Sequence, residues 1–393
     1  MNRRIRVAHV ITRLELGGAQ QNTLYCCEHH DRRRFDVVLI AGEGGDLDFS
    51  AVKLAPRTTV YLLPELKHPL NPWWDLVTLV KLSWVLKAER IDLVHTHSSK
   101  AGILGRWAAR LAGIPAVVHT VHGWGFHPRQ FPPLRWLYQA LERMTAPITD
   151  AIIGVAQENV REGSAVHIGT PAQYRVIHSG IEPARYRVPA ARAIRLRRTW
   201  DIGKRPCVLV LSNFKRQKSP MDVVRTLEHL RTPVPDVLLL WAGDGPGREA
   251  VEGAVNARGM ADSIRFLGWR RDVADLLAVS DVLLLTSIFE GLPRVVLQAF
   301  AAGKPVVATA VSGTPEVVTQ DVSGYLHEPH DAAGMAASLA LLLKDPRRAR
   351  RMGAAGRKVL KGSFLMPRMV SEIEDLYLEV LRSRIVAHEG RER

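Results

Sequence analysis

Residues 286–300, TSIFEGLPRVVLQAF, place a carboxylate where an apolar strand is predicted to end and a helix to begin. Pro293 fits the first helical turn, because an N–H group there would lack a partner within the helix. The N–H groups of Gly291 and Leu292 are then expected to point outward with the positive end of the helix dipole. Glu290 precedes that end and can accept hydrogen bonds from the hydroxyls of a neutral ligand. The segment predicts a site for a ligand with phosphate and hydroxyl groups.

Gln298 extends the predicted site along the helix. It lies one turn beyond Arg294 on the same face. Its side-chain carbonyl can accept hydrogen bonds from a vicinal diol such as a ribose. Sugar hydroxyls bonded to a carboxylate or an amide on either side of a helix-bound phosphate are typical of a nucleotide-sugar site.

A basic loop follows another predicted strand. In SNFKRQKSP, Lys215, Arg216 and Lys218 fall within four positions near a strand end. Three cations there suit a pyrophosphate, because hydrogen bonds between ionised partners are the strong ones. A solvated basic loop is the alternative.

Two glycine-rich loops also follow predicted strands. Gly17 and Gly18 precede a helix predicted to begin near Ala19, and glycine there lets backbone N–H groups approach an anion. A plain tight turn is the alternative. The second loop, LWAGDGPGRE at 240–249, resembles a degenerate nucleotide fingerprint, although Pro246 removes one donor. It leaves a Rossmann dehydrogenase as a further hypothesis.

Histidines stand in two groups near strand ends, His95 with His97 and His119 with His122. Residues two apart on a strand share a face, so His95 and His97 could form half of a zinc site. No cysteine or carboxylate close by in the sequence completes it, and we predict neither a metal nor a cofactor. His122, before Gly123, is expected to face the ligand as a hydrogen-bond donor.

Short apolar strands alternate with helical segments along the chain, as in parallel βαβ units. The predicted strands are 5–12, 36–42, 59–64, 93–97, 116–122, 151–156 and 174–179, then 207–212, 236–243, 263–268, 282–287, 305–309 and 324–329. We expect two doubly wound, Rossmann-like α/β domains facing each other across a cleft, with ligands beyond the carboxyl ends of the strands.

The predicted domain boundaries follow from this pattern. They are a first domain at 1–183, a Pro- and Arg-rich linker at 184–206 and a second domain at 207–362. A C-terminal helix within 363–393 is expected to pack back toward the first domain.

Composition narrows the class of protein. The chain has 393 residues, 47% of them hydrophobic, a net charge of +15 and three cysteines that form no disulfide framework. The N-terminal apolar run is too short for a signal peptide, and no stretch is long enough to span a bilayer, so we expect a cytoplasmic protein. The basic residues are dispersed and no nucleic-acid motif accompanies them, so nucleic acid is not a predicted partner.

Residues 290–298 also resemble the E-x7-E segment of the retaining glycosyltransferases of family 4, which have the GT-B fold. Further similar segments cover nearly the whole chain: GGAQ, DLVHTHSSKAGILGRWAARLAGIPAVVHTVHG, RVIHSGIE, LSNFKRQKSP, AGDGPGRE, IRFLGWRRDV and TSIFEGLPRVVLQAFAAGKPVVATAVSGTPEVV. The sequence is especially similar to bacterial polysaccharide-assembly members that act on lipid-linked sugars.

The resemblance implies a role for each matching position. Gly17 and Gly18 would lie against the donor phosphates and the acceptor side of the cleft, and His122 would contact the transferred sugar. Lys218 would bind the diphosphate. Glu290 would bind sugar hydroxyls and support the transition state, and the backbone amides that follow it would bind phosphate.

Two positions depart from the family pattern. Asn213 stands where the family commonly has Arg, so Lys215 or Arg216 would supply the second cation. Gln298 replaces the second Glu of the family and would still meet the ribose, although an amide lacks the charge that strengthens such bonds.

The activity that the resemblance implies is metal-independent transfer of a hexose with retention of configuration. The donor would be a nucleoside diphosphate sugar, with UDP favoured, and the acceptor a lipid-linked saccharide in cell-surface polysaccharide biosynthesis. A nucleotide-sugar epimerase of GT-B architecture is the alternative, and a non-catalytic scaffold is a third hypothesis.

One segment suggests contact with a membrane. Residues 125–144, GFHPRQFPPLRWLYQALERM, mix aromatic and apolar residues with Arg129, Arg135 and Arg143, as interfacial segments do. We expect peripheral contact with the anionic inner face of the membrane. An ordinary helix packed on its own domain is the alternative.

Overall fold

A computed structural model describes residues 3–54, 57–67, 70–127 and 130–389. The chain forms two compact units. The first contains Met1–Gly180 together with Met366–Arg393, and the second contains Ile181–Leu365. No helix in the described ranges is both long and apolar enough to cross a membrane.

The first unit is built on a seven-stranded parallel sheet with the order β3-β2-β1-β4-β5-β6-β7. Its strands are β1 (Ile5–Arg13), β2 (Phe35–Gly42), β3 (Thr59–Leu63), β4 (Leu93–His97), β5 (Ala116–Val121), β6 (Ala151–Gly154) and β7 (Tyr174–Val176). The helices between them are α1 (Gly18–His29), α2 (Asp48–Val52), α3 (Pro72–Ala88), α4 (Ser99–Ala112), α5 (Pro132–Thr145) and α6 (Gln157–Ala165).

The second unit has a six-stranded parallel sheet with the order β10-β9-β8-β11-β12-β13. Its strands are β8 (Cys207–Leu211), β9 (Leu238–Ala242), β10 (Ile264–Phe266), β11 (Val282–Leu285), β12 (Val306–Thr309) and β13 (Gly324–His327). Its helices are α7 (Ala190–Thr199), α8 (Pro220–Arg231), α9 (Arg248–Ala257), α10 (Val273–Val279), α11 (Arg294–Ala301), α12 (Thr314–Val317), α13 (Ala332–Lys344) and α14 (Pro346–Val359).

All thirteen strands in the described residues coincide with predicted ones, so the strand prediction is confirmed. A parallel strand that is covered on both faces needs apolar residues almost throughout, and this gives an unbroken run in the sequence. Most of the strands end one to three residues before the predicted run, whereas β1 extends one residue further, to Arg13.

The C-terminal helix α15 (Met366–Glu389) packs on the first unit. Its buried residues recur every three or four positions, which makes one face apolar. They are Met366, Met369, Val370, Ile373, Leu376, Tyr377 and Val380, and they share a core with α1 and one face of the first sheet. Helices α3 and α4 cover the other face.

The segment predicted as a linker, 184–206, lies in the second unit and contains α7. Arg192 on α7 donates two hydrogen bonds to the carboxylate of Asp275 on α10, at 3.0 and 2.7 Å. None of the residues of α7 is buried. The helix is attached by charged groups rather than by an apolar stripe, so hydrophobic periodicity could not predict it.

Strand order reverses between β1 and β4 in the first sheet and between β8 and β11 in the second. Loops that leave the carboxyl ends of two such strands diverge to opposite faces of the sheet. In doubly wound folds this point is where ligands bind. Most of the predicted site residues follow β1, β8 or β11.

Candidate functional site

In the second unit, the loops after β8 and β11 are joined by several hydrogen bonds. Thr286 Oγ1 donates to the Lys218 carbonyl at 2.8 Å, and the Ile288 N–H donates to the Gln217 carbonyl at 2.8 Å. The Gln217 side-chain amide donates to the Phe289 carbonyl at 3.0 Å. These bonds fix the predicted basic loop against the predicted carboxylate loop at the switch point of the sheet.

Lys218 and Glu290, predicted separately, form an ion pair there. Only 19% of the Lys218 side chain and 10% of the Glu290 side chain are exposed, so the two charges are poorly solvated. Ser287 Oγ donates to Glu290 Oε1 at 2.5 Å, and the Glu290 N–H donates to Ser312 Oγ at 3.2 Å. The cation predicted for phosphate and the carboxylate predicted for hydroxyls therefore stand side by side.

Two serines beside this pair have backbone conformations that L-residues rarely adopt. Ser219, directly after Lys218, has φ 45°, and Ser312, which accepts from the Glu290 N–H, also has φ 45°. The left-handed region costs a non-glycine residue about 1–2 kcal/mol. Strain of this kind is concentrated at functional sites, which fits the placement of the pair.

The other two predicted cations of this loop are more exposed than Lys218. Lys215 and Arg216 are exposed, and the Lys215 N–H donates to Asn213 Oδ1 at 3.2 Å. Asn213 thus shapes the loop from the position where an arginine was expected. Of the three predicted cations, Lys218 is the one that pairs with Glu290.

Helix α11 begins at Arg294, and Pro293 is its N-cap rather than a member of the first turn as predicted. Gly291 and Leu292 are buried before it. The Gly291 carbonyl accepts from the Gly313 N–H at 3.0 Å, which ties the start of α11 to the loop after β12.

Arg294 and Gln298 lie one turn apart on α11, and both are buried. Burial lowers the pKa of the Arg294 guanidinium to about 10, so the group stays cationic at neutral pH. The Gln298 amide donates to Tyr186 Oη at 3.0 Å. This bond fixes the orientation of the amide that the sequence assigned to a ribose.

The second glycine-rich loop packs against the basic loop. A Cβ on Gly243 would lie 2.0 Å from the Ser212 carbonyl oxygen, and one on Gly247 would lie 2.5 Å from the Phe214 carbonyl oxygen. Gly243 also has φ +146°. Glycine is required there because two backbones approach closely, and this accounts for the motif without a dinucleotide.

In the first unit, Gly17 is the N-cap of α1 and Gly18 its first residue, one position before the predicted start. His122 follows the end of β5, and its Nε2 lies 3.2 Å from His97 Nδ1. His122 is therefore the outermost member of a group of histidines in this unit.

The histidine pair with metal-like spacing is part of that group. Ring nitrogens of His9, His95 and His97 lie within 4.8 Å of one another, near enough to share an ion. Each of their nitrogens already has a partner: His95 bonds Tyr377 and Thr120, at 2.5 and 2.6 Å. His9 and His97 bond each other at 3.0 Å and further imidazoles on their other sides. A hydrogen-bonded network accounts for these nitrogens.

Sequence reasoning missed four residues that shape the site. Ser287 and Ser312 bond Glu290, Gln217 joins the two loops, and Tyr186 bonds Gln298. Both serines follow strands that neighbour each other in the sheet, so a correct strand order would have indicated them. Tyr186 gave no such signal, because it comes from the segment predicted as a linker.

The fold and the site together define a class of protein. Two Rossmann-like parallel α/β domains, with charged and glycine-rich loops at their switch points, are those of a GT-B enzyme, which confirms the predicted fold class. The family model "Glycosyltransferase Family 4" matches residues 16–185, and "Glycosyl transferases group 1" matches residues 194–359. The chain belongs to glycosyltransferase family 4, as the motifs indicated.

Characterised relatives extend over most of the chain. It is 29% identical over 385 residues to the UDP-Gal:alpha-D-GlcNAc-diphosphoundecaprenol alpha-1,3-galactosyltransferase of Escherichia coli, covering 96% of this chain and 98% of that protein. It is 30% identical over 320 residues to the N-acetyl-alpha-D-glucosaminyl L-malate synthase of Bacillus anthracis, covering 79% of this chain and 81% of that protein.

A solved structure has the same fold. Anabaena Alr3699/HepE in complex with UDP and glucose superposes with a TM-score of 0.81 at 19% identity, covering 95% of this chain and all of that one. The chain is thus a glycosyltransferase with the GT-B fold.

Proposed function

We propose that the chain is a retaining hexosyltransferase that moves a hexose from a UDP-sugar to a lipid-linked saccharide in cell-surface polysaccharide biosynthesis. The name of the E. coli relative specifies a UDP-Gal donor and an acceptor on diphosphoundecaprenol. The structure of HepE contains UDP and glucose. Both names support this donor class, and the first supports this acceptor class.

The observation that carries the proposal is the ion pair between Lys218 and Glu290. In the proposed complex the Lys218 ammonium moves from the carboxylate to the donor diphosphate. Glu290 then accepts hydrogen bonds from sugar hydroxyls, while Ser287 keeps its side chain in place. The pair keeps both charges neutralised until the donor arrives, because an unpaired buried charge is costly.

Protein cations take the part that a metal plays in other transferases. Lys218 stabilises the leaving diphosphate, with Lys215 or Arg216 from the same loop as the second cation. The N–H groups of Gly291 and Leu292, before α11, add donors to phosphate. Positive groups placed where negative charge develops lower the barrier directly.

The reaction proceeds on one face of the sugar. The bond from the anomeric carbon to the donor diphosphate breaks, and the acceptor oxygen bonds to that carbon on the same face. The acceptor proton leaves with the diphosphate. His122 contacts the transferred sugar, Gly17 and Gly18 lie against the phosphates, Arg294 supports the nucleotide side, and Gln298 meets the ribose.

Helix α5 supports peripheral contact with an anionic inner membrane face. Phe131 and Trp136 are exposed by 70% and 65%. Arg143 Nε donates to the Val166 carbonyl at 2.7 Å, so this arginine is held within the domain. Arg129 lies outside the described residues, and Arg135 is a second arginine on α5.

Helix α3 adds a larger apolar surface that the sequence analysis did not single out. Trp73, Leu76, Val80 and Trp84 share one helical face and are 69%, 54%, 61% and 70% exposed. We call these four residues the α3 stripe. Helices α3 and α5 both pack on α4, which covers one face of the first sheet. An apolar surface with aromatic residues suits a bilayer interface.

The test is transfer to a defined acceptor. The full chain is incubated with UDP-, GDP- and ADP-hexoses, with and without a synthetic GlcNAc-diphosphate lipid in detergent. Mass spectrometry is expected to find the acceptor heavier by one hexose with a UDP-sugar. An epimerised donor formed without acceptor, or an unmodified acceptor with every donor, would refute the proposal.

A further inference from the structure

A continuous chain of hydrogen bonds crosses the first unit from α15 to His122. Glu374 Oε1 lies 3.0 Å from His30 Nδ1, and His30 Nε2 lies 3.0 Å from His9 Nε2. His9 Nδ1 lies 3.0 Å from His97 Nε2, and His97 Nδ1 lies 3.2 Å from His122 Nε2. We call these five residues the histidine relay.

The fold brings the relay together from distant parts of the sequence. His9 on β1 faces α15 because alternate residues of a strand share a face, and the neighbouring β4 presents His97 on that side. His30 caps the end of α1, and Glu374 stands on the buried face of α15. His9, His30 and His97 are exposed by 3% or less.

The direction of the hydrogen bonds follows from the carboxylate end. Glu374 Oε1 also accepts from the Asp31 backbone N–H at 2.8 Å, and a backbone amide can only donate. That oxygen is therefore an acceptor, and His30 Nδ1 carries the proton that points at it. A neutral imidazole has one donor and one acceptor nitrogen, so His30 Nε2 accepts.

The same rule fixes each following ring. His9 donates from Nε2 to His30 and accepts at Nδ1 from His97 Nε2. His97 then accepts at Nδ1, and His122 donates to it from Nε2. A carboxylate three imidazoles away thus selects the tautomer of His122.

The surroundings keep the intervening rings neutral. Burial lowers the pKa of His9 and His97 well below the usual value, and neighbouring imidazoles lower it further. Burial also lowers the pKa of His30, although Glu374 opposes this effect. The other groups around the relay are the Arg32 guanidinium, the rings of His95 and His119, the Tyr377 phenol and the buried thiols of Cys26 and Cys27.

We propose that Glu374, His30, His9 and His97 are positioning residues that hold His122 as the Nε2–H tautomer, with Nδ1 as its acceptor nitrogen. The inference rests on the proposed function, in which His122 contacts the transferred sugar. An acceptor nitrogen bonds a sugar hydroxyl that donates, so in this proposal His122 is an acceptor toward the ligand and not the donor that the sequence predicted. The relay thereby selects which hydroxyl His122 recognises. Helix α15 thereby contributes to the site without touching the substrate.

The test observes the histidine tautomers directly. The full chain, without substrate, is labelled with ¹⁵N-histidine, and two-bond ¹⁵N–¹H correlations distinguish Nε2–H from Nδ1–H rings. The signal of His122 is assigned by its loss in His122→Gln. Glu374→Gln is compared with Glu379→Gln on the same helix, where the carboxylate pairs instead with Arg175 at 2.6 Å.

We expect one tautomer of His122, Nε2–H, in the wild type and in Glu379→Gln. In Glu374→Gln the amide can donate, so we expect a mixed or inverted tautomer. We also expect kcat to fall about tenfold, the equivalent of one hydrogen bond, with donor KM little changed. If Glu374→Gln does not fold, the wild-type spectrum still shows in which direction the hydrogen bonds of the relay run.

Three results would overturn the relay: Nδ1–H at His122 in the wild type, an unchanged tautomer in Glu374→Gln, or stoichiometric zinc in the purified protein. Absence of transfer by the wild type would instead refute the proposed function. The tautomer spectra, which need no substrate, would then decide the relay on their own.

Discussion

The ion pair of Lys218 and Glu290 places two opposite charges at the point where we propose that the donor sugar binds. Each charge has a separate part in the proposed reaction, one at the diphosphate and one at the sugar. We expect Lys218→Ala and Glu290→Ala each to lower kcat by about 100-fold or more, the usual loss for one group that stabilises developing charge. Steady-state assays at saturating donor measure this effect.

A matched pair in the same unit provides the control for these variants. Arg258 and Glu228 lie 3.4 Å apart and are well exposed, and surface pairs contribute little to stability. Their alanine variants are expected to keep wild-type turnover. Near-normal kcat in both Lys218→Ala and Glu290→Ala would remove the pair from the mechanism.

Gln298 presents an amide where the family has a carboxylate. The amide now donates to Tyr186, and in Gln298→Glu the tyrosine hydroxyl can donate to the new carboxylate instead. We therefore expect kcat to be largely kept and donor KM to change by less than about tenfold, roughly one hydrogen bond. Kinetics with Tyr186→Phe as comparison measure the contribution of that bond. Complete loss of activity would exclude the ribose role of residue 298.

For single residues, the sequence indicated which polar side chains belong to the candidate site, but it did not indicate which side chains they contact. Lys218, Glu290 and Gln298 could be selected because polar residues at strand ends are conspicuous. That Lys218 pairs with Glu290 could not be predicted, because the order of β8 and β11 in the sheet is not written in either segment. The relay from Glu374 to His122 depends on five elements and was equally hidden.

Helices α3 and α5 carry the apolar surface of the first unit. We expect the double variant Trp73→Ser/Trp84→Ser to lower partition onto anionic vesicles at least about tenfold, because a buried tryptophan contributes well over 1 kcal/mol. Arg135→Glu is expected to weaken binding to these vesicles and to make the remaining binding less dependent on salt concentration. Co-sedimentation measures both effects.

Trp269 is the control for those variants, since it is 47% exposed on the second unit. Trp269→Ser should bind vesicles like the wild type. If the double variant and the wild type partition equally, the α3 stripe has no part in membrane contact.

The elements differ in how well their sequences predict them. Buried parallel strands require β-branched apolar runs, so their positions were predictable. The position of α7 was not, because Arg192 and Asp275 attach it by charge. Helix α3 has the composition of a core helix. Only the fold distinguishes its buried apolar face from the exposed α3 stripe.

At the scale of the whole molecule, the five histidines that are buried among the described residues link stability to pH. They are His9, His30, His95, His97 and His119, and burial is the main cause that lowers the pKa of each. The unfolded chain binds these protons at about pH 6.5 and the folded chain does not. Stability is therefore fully present above that pH and lost as pH falls below it, by at most about 1.4 kcal/mol per pH unit for each histidine.

Burial raises the pKa of Glu162 to about 7, so this single carboxyl opposes the trend. Urea unfolding at pH 7.5, 6.5 and 5.5 should give falling midpoints. His119→Gln is expected to reduce the slope, whereas His29→Gln, at a partly exposed position, should not. Midpoints that stay constant from pH 7.5 to 5.5 would contradict the neutral, buried state of these rings.

In the whole molecule, the first unit carries the histidine relay and the apolar helices, and the second unit carries the ion pair of Lys218 and Glu290. The central proposal for this molecule is sugar transfer with retention of anomeric configuration, assisted by cationic side chains of the protein. The most direct measurement is the anomeric configuration of the product, by ¹H NMR, after reaction of an α-linked UDP-hexose with the GlcNAc-diphosphate lipid in EDTA. We predict an α-linked product at an undiminished rate. A β-linked product, or no product until a divalent cation is restored, would contradict the account.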